Sequence, residues 1–254
     1  MMGRERYIFG NWKMNKTSQE AKEYFSIFCS LVQDIQTPVI GIAPPFTALH
    51  TCFQSLHSQE SSVLLGAQNL HQEMAGAFTG EVSLPMLKEF GVQFVLIGHS
   101  ERRHIFHEDD ATIALKVSAT ARGGMIPVLC VGETLVDKEE GRTQEVLSNQ
   151  LVLGLSQLPE ISSIIIAYEP TWAIGTGKVA STTDVQEAHV FCRQVISRIF
   201  SKEKAETVSI LYGGSVKEDN ARGFAACPDV DGLLVGGASI DPKGFSRVIG
   251  QFLL

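Results

Sequence analysis

The chain alternates between short uninterrupted apolar runs and longer stretches in which apolar residues recur every three or four positions. The runs are YIFG (7–10), VIGIA (39–43), VLLGA (63–67), FVLI (94–97), IPVLCV (126–131), IIIAY (164–168), VSILY (208–212) and GLLV (232–235). A strand with one wet face would alternate apolar and polar residues. Continuous apolar runs of this length predict strands covered on both faces, as in a parallel sheet. Their starts are spaced by about 32 residues on average, the length of a strand plus a crossover helix. The intervening stretches read as those helices. After Thr17, spaced from Glu20 as in a capping box, the apolar stripe is Ala21, Tyr24, Phe25, Phe28 and Val32. Val185, Ala188, Cys192, Val195, Ile196 and Ile199 form a second stripe, and Phe245, Val248, Ile249 and Phe252 a third. No linker or low-complexity segment interrupts the repeat, so residues 1–254 read as one α/β domain. Doubly wound sheets usually have five or six strands, so eight units favour a single-domain (β/α)8 barrel, eight parallel strands with outer helices.

Composition narrows the function classes. At 44% hydrophobic and 19% charged residues the chain is globular. Twenty-one Lys and Arg against 28 Asp and Glu leave a net charge of −7, so no overall field favours nucleic acid or an anionic membrane. The five cysteines are scattered and never spaced C-x-x-C, which argues against a disulfide framework, a thioredoxin-type motif and a zinc ribbon. No apolar segment follows the early arginines, and none is long enough to span a membrane. These features predict a reduced, soluble, cytoplasmic protein.

A barrel of this kind gathers its chemistry at the C-terminal ends of its strands. Unusual polar residues do follow the runs: Asn11-Trp12-Lys13 after the first, Gly98-His99-Ser100-Glu101 after the fourth, and Glu169-Pro170 after the sixth. Gly213-Gly214-Ser215 and Gly236-Gly237 follow the last two. Glu169 could be an ordinary salt-bridged carboxylate, but at a buried strand end it would be partly desolvated and so a stronger base. The proline and glycines beyond it look like a hinged lid. His99, Glu101, His104 and His107 suggest a metal cluster, yet there is no H-E-x-x-H, and no P-C-x-x-C follows H-x-E. No metal is therefore predicted, and a core histidine remains the plain alternative. The run from Gly175 to Ala180 formally matches a dinucleotide fingerprint, but that motif needs its first glycine directly after the strand, and Glu169 to Ile174 intervene. The paired glycines could be simple turns, or backbone donors for a phosphate. Cys130 has no partner base and reads as packing.

Taken in order, NWKMN, AQN…GAFTGE, GHSERR, CVGE, YEPTWAIGTGK, YGGSV and LVGGAS resemble the triosephosphate isomerase family, from Asn11 to about Ile240. The resemblance implies a cofactor-free aldose–ketose isomerase of glycolysis and gluconeogenesis that interconverts dihydroxyacetone phosphate and D-glyceraldehyde 3-phosphate. It makes Glu169 the general base and His99 a neutral electrophile, its pKa lowered by the helix that starts there. Lys13 and Asn11 would bind substrate and stabilise the enediolate, and Glu101 would pair with a cation such as Lys13. Ser215, Gly236, Gly237 and Gly175 would hold the phosphate. The lid would be 170–178, with Pro170, Trp172, Ile174, Gly175, Thr176, Gly177 and Lys178, latched by Tyr212. The loop 68–81 would plug into a second subunit, Thr79 reaching the neighbour's site, so a homodimer is implied. Two departures lie outside the reacting centre: STTD follows the lid where a TPE-like helix start is usual, and KED follows YGGSV where NPD is more usual. A Schiff-base aldolase would want a lysine within a strand run, and none has one. An inactive scaffold barrel predicts loss of Glu169, His99 or Lys13, and all three are present.

Overall fold

The computed structural model describes residues 4–158, 163–174 and 179–253. Eight strands pair in chain order, all parallel: β1 (Tyr7–Asn11), β2 (Val39–Ala43), β3 (Leu64–Ala67), β4 (Phe94–Ile97), β5 (Ile126–Val131), β6 (Ile165–Tyr168), β7 (Ser209–Tyr212) and β8 (Gly232–Val235). Tyr7 stands beside Val39 on one side and Gly232 on the other, which closes the sheet into a barrel. The strands fall within one residue of the apolar runs. β1 gains Asn11, while β3, β6 and β7 start one residue late, because Val63, Ile164 and Val208 are buried in the outer layer before the ladder begins.

Both strand faces are covered, and this is why the runs do not alternate. Phe9, Phe94, Leu96, Val128, Cys130, Ile165, Ala167, Leu211 and Leu234 fill the barrel, while Ile8, Val95, Ile97, Leu129, Ile166, Ile210 and Leu233 pack outward under the helices. The inner rings of Phe9 and Phe94 stack 4.0 Å apart. They fit because β2 and β3 carry glycine beside them: a Cβ on Gly66 would stand 2.2 Å from Phe94, and one on Gly41 2.7 Å from it. The expected helices form with their stripes inward. Thr17 and Glu20 close a capping box on Ser18–Val32, and Ala21, Tyr24, Phe25, Phe28 and Val32 are buried. Ser181 and Asp184 close another on Thr182–Ile199, so the unusual STTD run is itself a good helix start. The stripe of the last helix, Pro242–Leu253, is buried as well. Among the described residues no helix is long and apolar enough to cross a membrane.

The N-terminal end of the barrel is tied by ions. Arg193 donates to Asp229 and Asp231, both at 2.9 Å, and to the carbonyls of Ala205 and Val208; Arg4 donates to Asp231 at 2.6 Å. Beside this network His189 is fully buried, its Nδ1 3.0 Å from the Asp229 carbonyl. Burial lowers its pKa from 6.5 to about 4. The unfolded chain therefore takes up this proton first, and the folded protein loses stability as pH falls from about 6.5 to about 4. At 1.36 kcal/mol per unit the full loss is about 3 kcal/mol. Denaturant titrations from pH 7 to pH 4 should show this loss in the wild type and a shallower slope in His189→Asn. Parallel curves would refute the assignment.

Candidate active site

The C-terminal ends of the strands open into one cavity of about 580 Å³. Its lining brings together Asn11 and Lys13 after β1, His99 after β4, Glu169 and Ile174 after β6, Ser215 and Lys217 after β7, and Gly236 and Gly237 after β8. Residues spread over more than 220 positions thus share one pocket because each lies within six residues of a strand's C-terminal end. Gly175, Thr176, Gly177 and Lys178 lie outside the described residues.

Glu169 is 2% exposed. One carboxylate oxygen accepts the Ser100 N–H at 3.0 Å, and the other lies 3.2 Å from His99 Nε2. His99 is the N-cap of the short helix Ser100–His104, and its Nδ1 accepts the Glu101 N–H at 3.2 Å. That bond places the ring proton on Nε2, the nitrogen that faces Glu169. The imidazole is thus set up as a donor into the cavity. Cys130 sits behind the carboxylate, fully buried; burial and the adjacent Glu169 push its thiol well up, so it stays protonated, as its packing role requires.

Lys13 adopts a left-handed backbone, with φ 52°, which a residue bearing a Cβ seldom does. Such a conformation costs on the order of 1–3 kcal/mol and persists only when its surroundings enforce it. Here they do: the Lys13 N–H donates to Asn11 Oδ1 at 3.0 Å, and its carbonyl accepts from Gln68 Nε2 at 2.8 Å. The result aims the side chain across the mouth, where Nζ meets Glu101 at 2.7 Å and Cε passes 3.5 Å from where a Cβ on Gly236 would stand. The pairing of Glu101 with Lys13 is as expected from the sequence.

Four side chains around the site were not singled out from the sequence. Gln68, which follows β3, fixes Lys13 as described. Glu133, beyond β5, is 1% exposed and accepts from Trp172 Nε1 at 2.7 Å and from the Tyr168 hydroxyl at 3.1 Å. Lys138 stands 3.8 Å from the centre of the Trp172 ring and 3.0 Å from Asp184. Lys217 lines the cavity itself. The rule that polar residues mark strand ends could have found Glu133 and Gln68 in CVGE and AQN. Nothing local marks Lys138, because its partners are 34 and 46 positions away.

Pro170, Trp172 and Ile174 begin the segment after β6, where Thr171–Ala173 form a single 3-10 turn. Thr171 donates to the Glu133 carbonyl at 2.9 Å. Beyond the undescribed residues, the Ala180 N–H lies beside the buried Tyr212 hydroxyl, whose pKa is pushed up to about 12 by burial and lowered in part by that contact. The 68–81 loop has no regular structure, and 73–81, which include Thr79, are exposed. Its base is pinned: the buried Lys116 donates to Asn69 at 2.9 Å and pairs with Glu108. Among the described residues no group of three or more His, Cys, Asp or Glu side chains converges as metal ligands, and His99, Glu101, His104 and His107 form no such cluster.

Residues 6–252 match the family model of triosephosphate isomerase. The chain is 68% identical to the triosephosphate isomerases of Chlamydia felis and Chlamydia caviae, over the full length of all three chains. It is 56% identical to that of Chlamydia trachomatis serovar L2, over 97% of this chain and 90% of the relative.

Proposed function

The chain belongs to the triosephosphate isomerase family, and we propose that it performs that family's reaction with Glu169, His99, Lys13 and Asn11 as its working groups. The reaction interconverts dihydroxyacetone phosphate and D-glyceraldehyde 3-phosphate, an aldose–ketose isomerisation in glycolysis and gluconeogenesis. It requires one proton to leave the carbon next to a carbonyl and return to its neighbour. Glu169 removes it, and the electron pair moves onto the carbonyl oxygen. His99 Nε2–H and the Lys13 ammonium lie where that oxygen gains charge, and the Asn11 amide, with its oxygen held by Lys13 N–H, offers its NH2 end. Donors fixed before the charge appears stabilise it without reorganising. The hydroxyl proton on the other oxygen passes to the former carbonyl oxygen, His99 standing beside both, and the protonated Glu169 returns its proton to the adjacent carbon as the second oxygen becomes the carbonyl.

The observation that carries this reading is the pairing of the Glu169 carboxylate with His99 Nε2 at 3.2 Å in a cavity that Ser215, Gly236 and Gly237 also line. A base and an electrophile in contact suit an enediolate, and the backbone N–H groups after β7 and β8 suit a phosphate. Gly175 would join them from the segment 170–178. That segment would act as a lid hinged at Pro170 and Trp172, with Ile174 over the substrate, Thr176, Gly177 and Lys178 completing it, and Tyr212 latching its far end at Ala180. Closure would exclude water and protect the enediolate phosphate from elimination.

The working groups named are all side chains or backbone, so activity is expected to survive EDTA. The decisive experiment follows purified protein converting D-glyceraldehyde 3-phosphate in deuterated water with EDTA present. Conversion with one solvent deuteron fixed on the carbon next to the carbonyl is the expected result. No conversion by folded protein, or conversion abolished by EDTA, would overturn the reading.

A homodimer belongs to the same proposal. Met14, Met74, Phe78, Ile105 and Phe106 are exposed, Met14 at 95%, and they follow β1, β3 and β4 on one side of the rim. So much apolar surface on neighbouring loops suits burial against a second copy, with Thr79 at its site. The chain should sediment as a dimer at micromolar concentration, and Phe78→Asp should raise the dimer dissociation constant at least tenfold. A wild type that sediments as a monomer would refute this. The five unpaired cysteines fit a reducing cytoplasm.

A further inference from the structure

Lys217 is the second lysine on the cavity wall, and we propose that it is a capture residue, drawing the substrate's phosphate dianion to the mouth before the backbone donors seat it. The proposal rests on the isomerase reading above. It stands in the run Lys217-Glu218-Asp219 after β7.

Its placement is built rather than incidental. The Asn220 side chain accepts the Lys217 N–H at 2.8 Å and donates to the Ser215 carbonyl at 3.0 Å, so one residue ties Lys217 to the turn that holds Ser215. The Lys217 side chain is exposed, and among the described residues it forms no ion pair. The adjacent Glu218 is turned onto Arg247 at 2.6 Å, and among the described residues neither it nor the exposed Asp219 pairs with the lysine.

Charge counting shows why this matters. Lys13 is matched by Glu101, and Glu169 adds a negative charge. Without Lys217 the charges of Lys13, Glu101 and Glu169 sum to −1, in a chain of net −7. With Lys217 they sum to zero. A dianion approaching the cavity then meets one exposed cation instead of a net negative wall, and local fields of this kind act on association rate. A merely solvated lysine would have no such effect.

The test compares Lys217→Gln and Lys217→Glu with Lys202→Glu, which makes the same charge change at the opposite end of the barrel, just before β7. Two quantities are read for each protein, kcat/KM for D-glyceraldehyde 3-phosphate and Ki for inorganic phosphate, at about 10 mM and about 500 mM ionic strength. Lys217→Glu is expected to worsen both by about tenfold at low salt and by less than twofold at high salt. Lys217→Gln should fall between, and Lys202→Glu should match the wild type. The loss should appear in KM more than in kcat. Equal effects from Lys217→Glu and Lys202→Glu, or a loss that salt does not relieve, would overturn the proposal while wild-type activity left the isomerase reading standing. An inactive wild type would overturn that reading, and with it the capture role.

Discussion

Replacing Glu169 with glutamine is expected to lower kcat about a thousandfold, with Ki for inorganic phosphate within a few-fold of wild type. Positioned general bases contribute about 10² to 10⁴ in rate. Here a loss above the low end of that range follows from the surroundings. The carboxylate is 2% exposed, so no bulk water can stand in for it, and its thiol neighbour Cys130 is held protonated and cannot substitute. Glutamine has the same shape, and its oxygen can still accept the Ser100 N–H that the carboxylate accepts at 3.0 Å. The folded site should therefore survive, which thermal melting would check. Glu169→Asp keeps the charge but withdraws it by one methylene from His99, and misplacement of about 1 Å costs roughly a hundredfold. The expected order is wild type, then Asp, then Gln. Activity of Glu169→Gln within tenfold of wild type would show that another group takes the proton.

How far this site could be read from the sequence depends on how local its causes are. The strands were legible because both faces of each are buried, which leaves continuous runs such as FVLI and IPVLCV with little ambiguity. Thr17 is legible because a cap acts over three residues, whereas the STTD run reads only as a departure and Ser181 is found as a cap in the structure. Glu169, His99 and Lys13 stood out because a barrel places its chemistry just past strand ends, and polar residues there break an apolar pattern. What could not be read depends on contacts across the barrel. The left-handed backbone of Lys13 carries no glycine to announce it, and it is held from Gln68, 55 positions away. The tautomer of His99 follows from a helix turn that only the fold creates. Trp172 is gripped by Glu133 and faces Lys138, from a strand end and a helix that come close only once β5 and β6 pair. Gly213-Gly214-Ser215 after β7 reads as a phosphate turn from the sequence, but Lys217 beyond it does not; β7 and β8 stand side by side, and Lys217 lines the same cavity as Gly236.

The same adjacency of β5 and β6 makes Gly132 a point where one methyl group should disable the base without touching it. Gly132 follows β5, and a Cβ there would stand 1.9 Å from the backbone carbonyl oxygen of Glu169. That atom belongs to the main chain, so no side-chain rotation relieves the overlap, and the two segments must separate by more than about 1 Å to reach ordinary contact. They resist separation. Glu169 N–H donates to Val131 at 2.7 Å, Thr171 N–H donates to Glu133 at 3.0 Å, and Gln150 brackets Gly132 from behind with bonds of 2.8 and 3.2 Å. The strain therefore falls on the β6 end that aims the carboxylate. Gly132→Ala is expected to lower kcat by about a hundredfold or more through misplacement of the base. Overpacking of this kind costs about 1–3 kcal/mol, a fall of several degrees in melting temperature. Ser215, Gly236 and Gly237 follow β7 and β8 rather than the strained β5–β6 junction, so the Ki for inorganic phosphate should change less than threefold. Steady-state kinetics, phosphate inhibition and thermal melting together test the argument, because a general loss of fold would weaken phosphate binding in step with turnover. Turnover near wild type in Gly132→Ala would mean that the β5–β6 junction yields without moving Glu169, and that the base is positioned from its side-chain bonds to Ser100 and His99 alone.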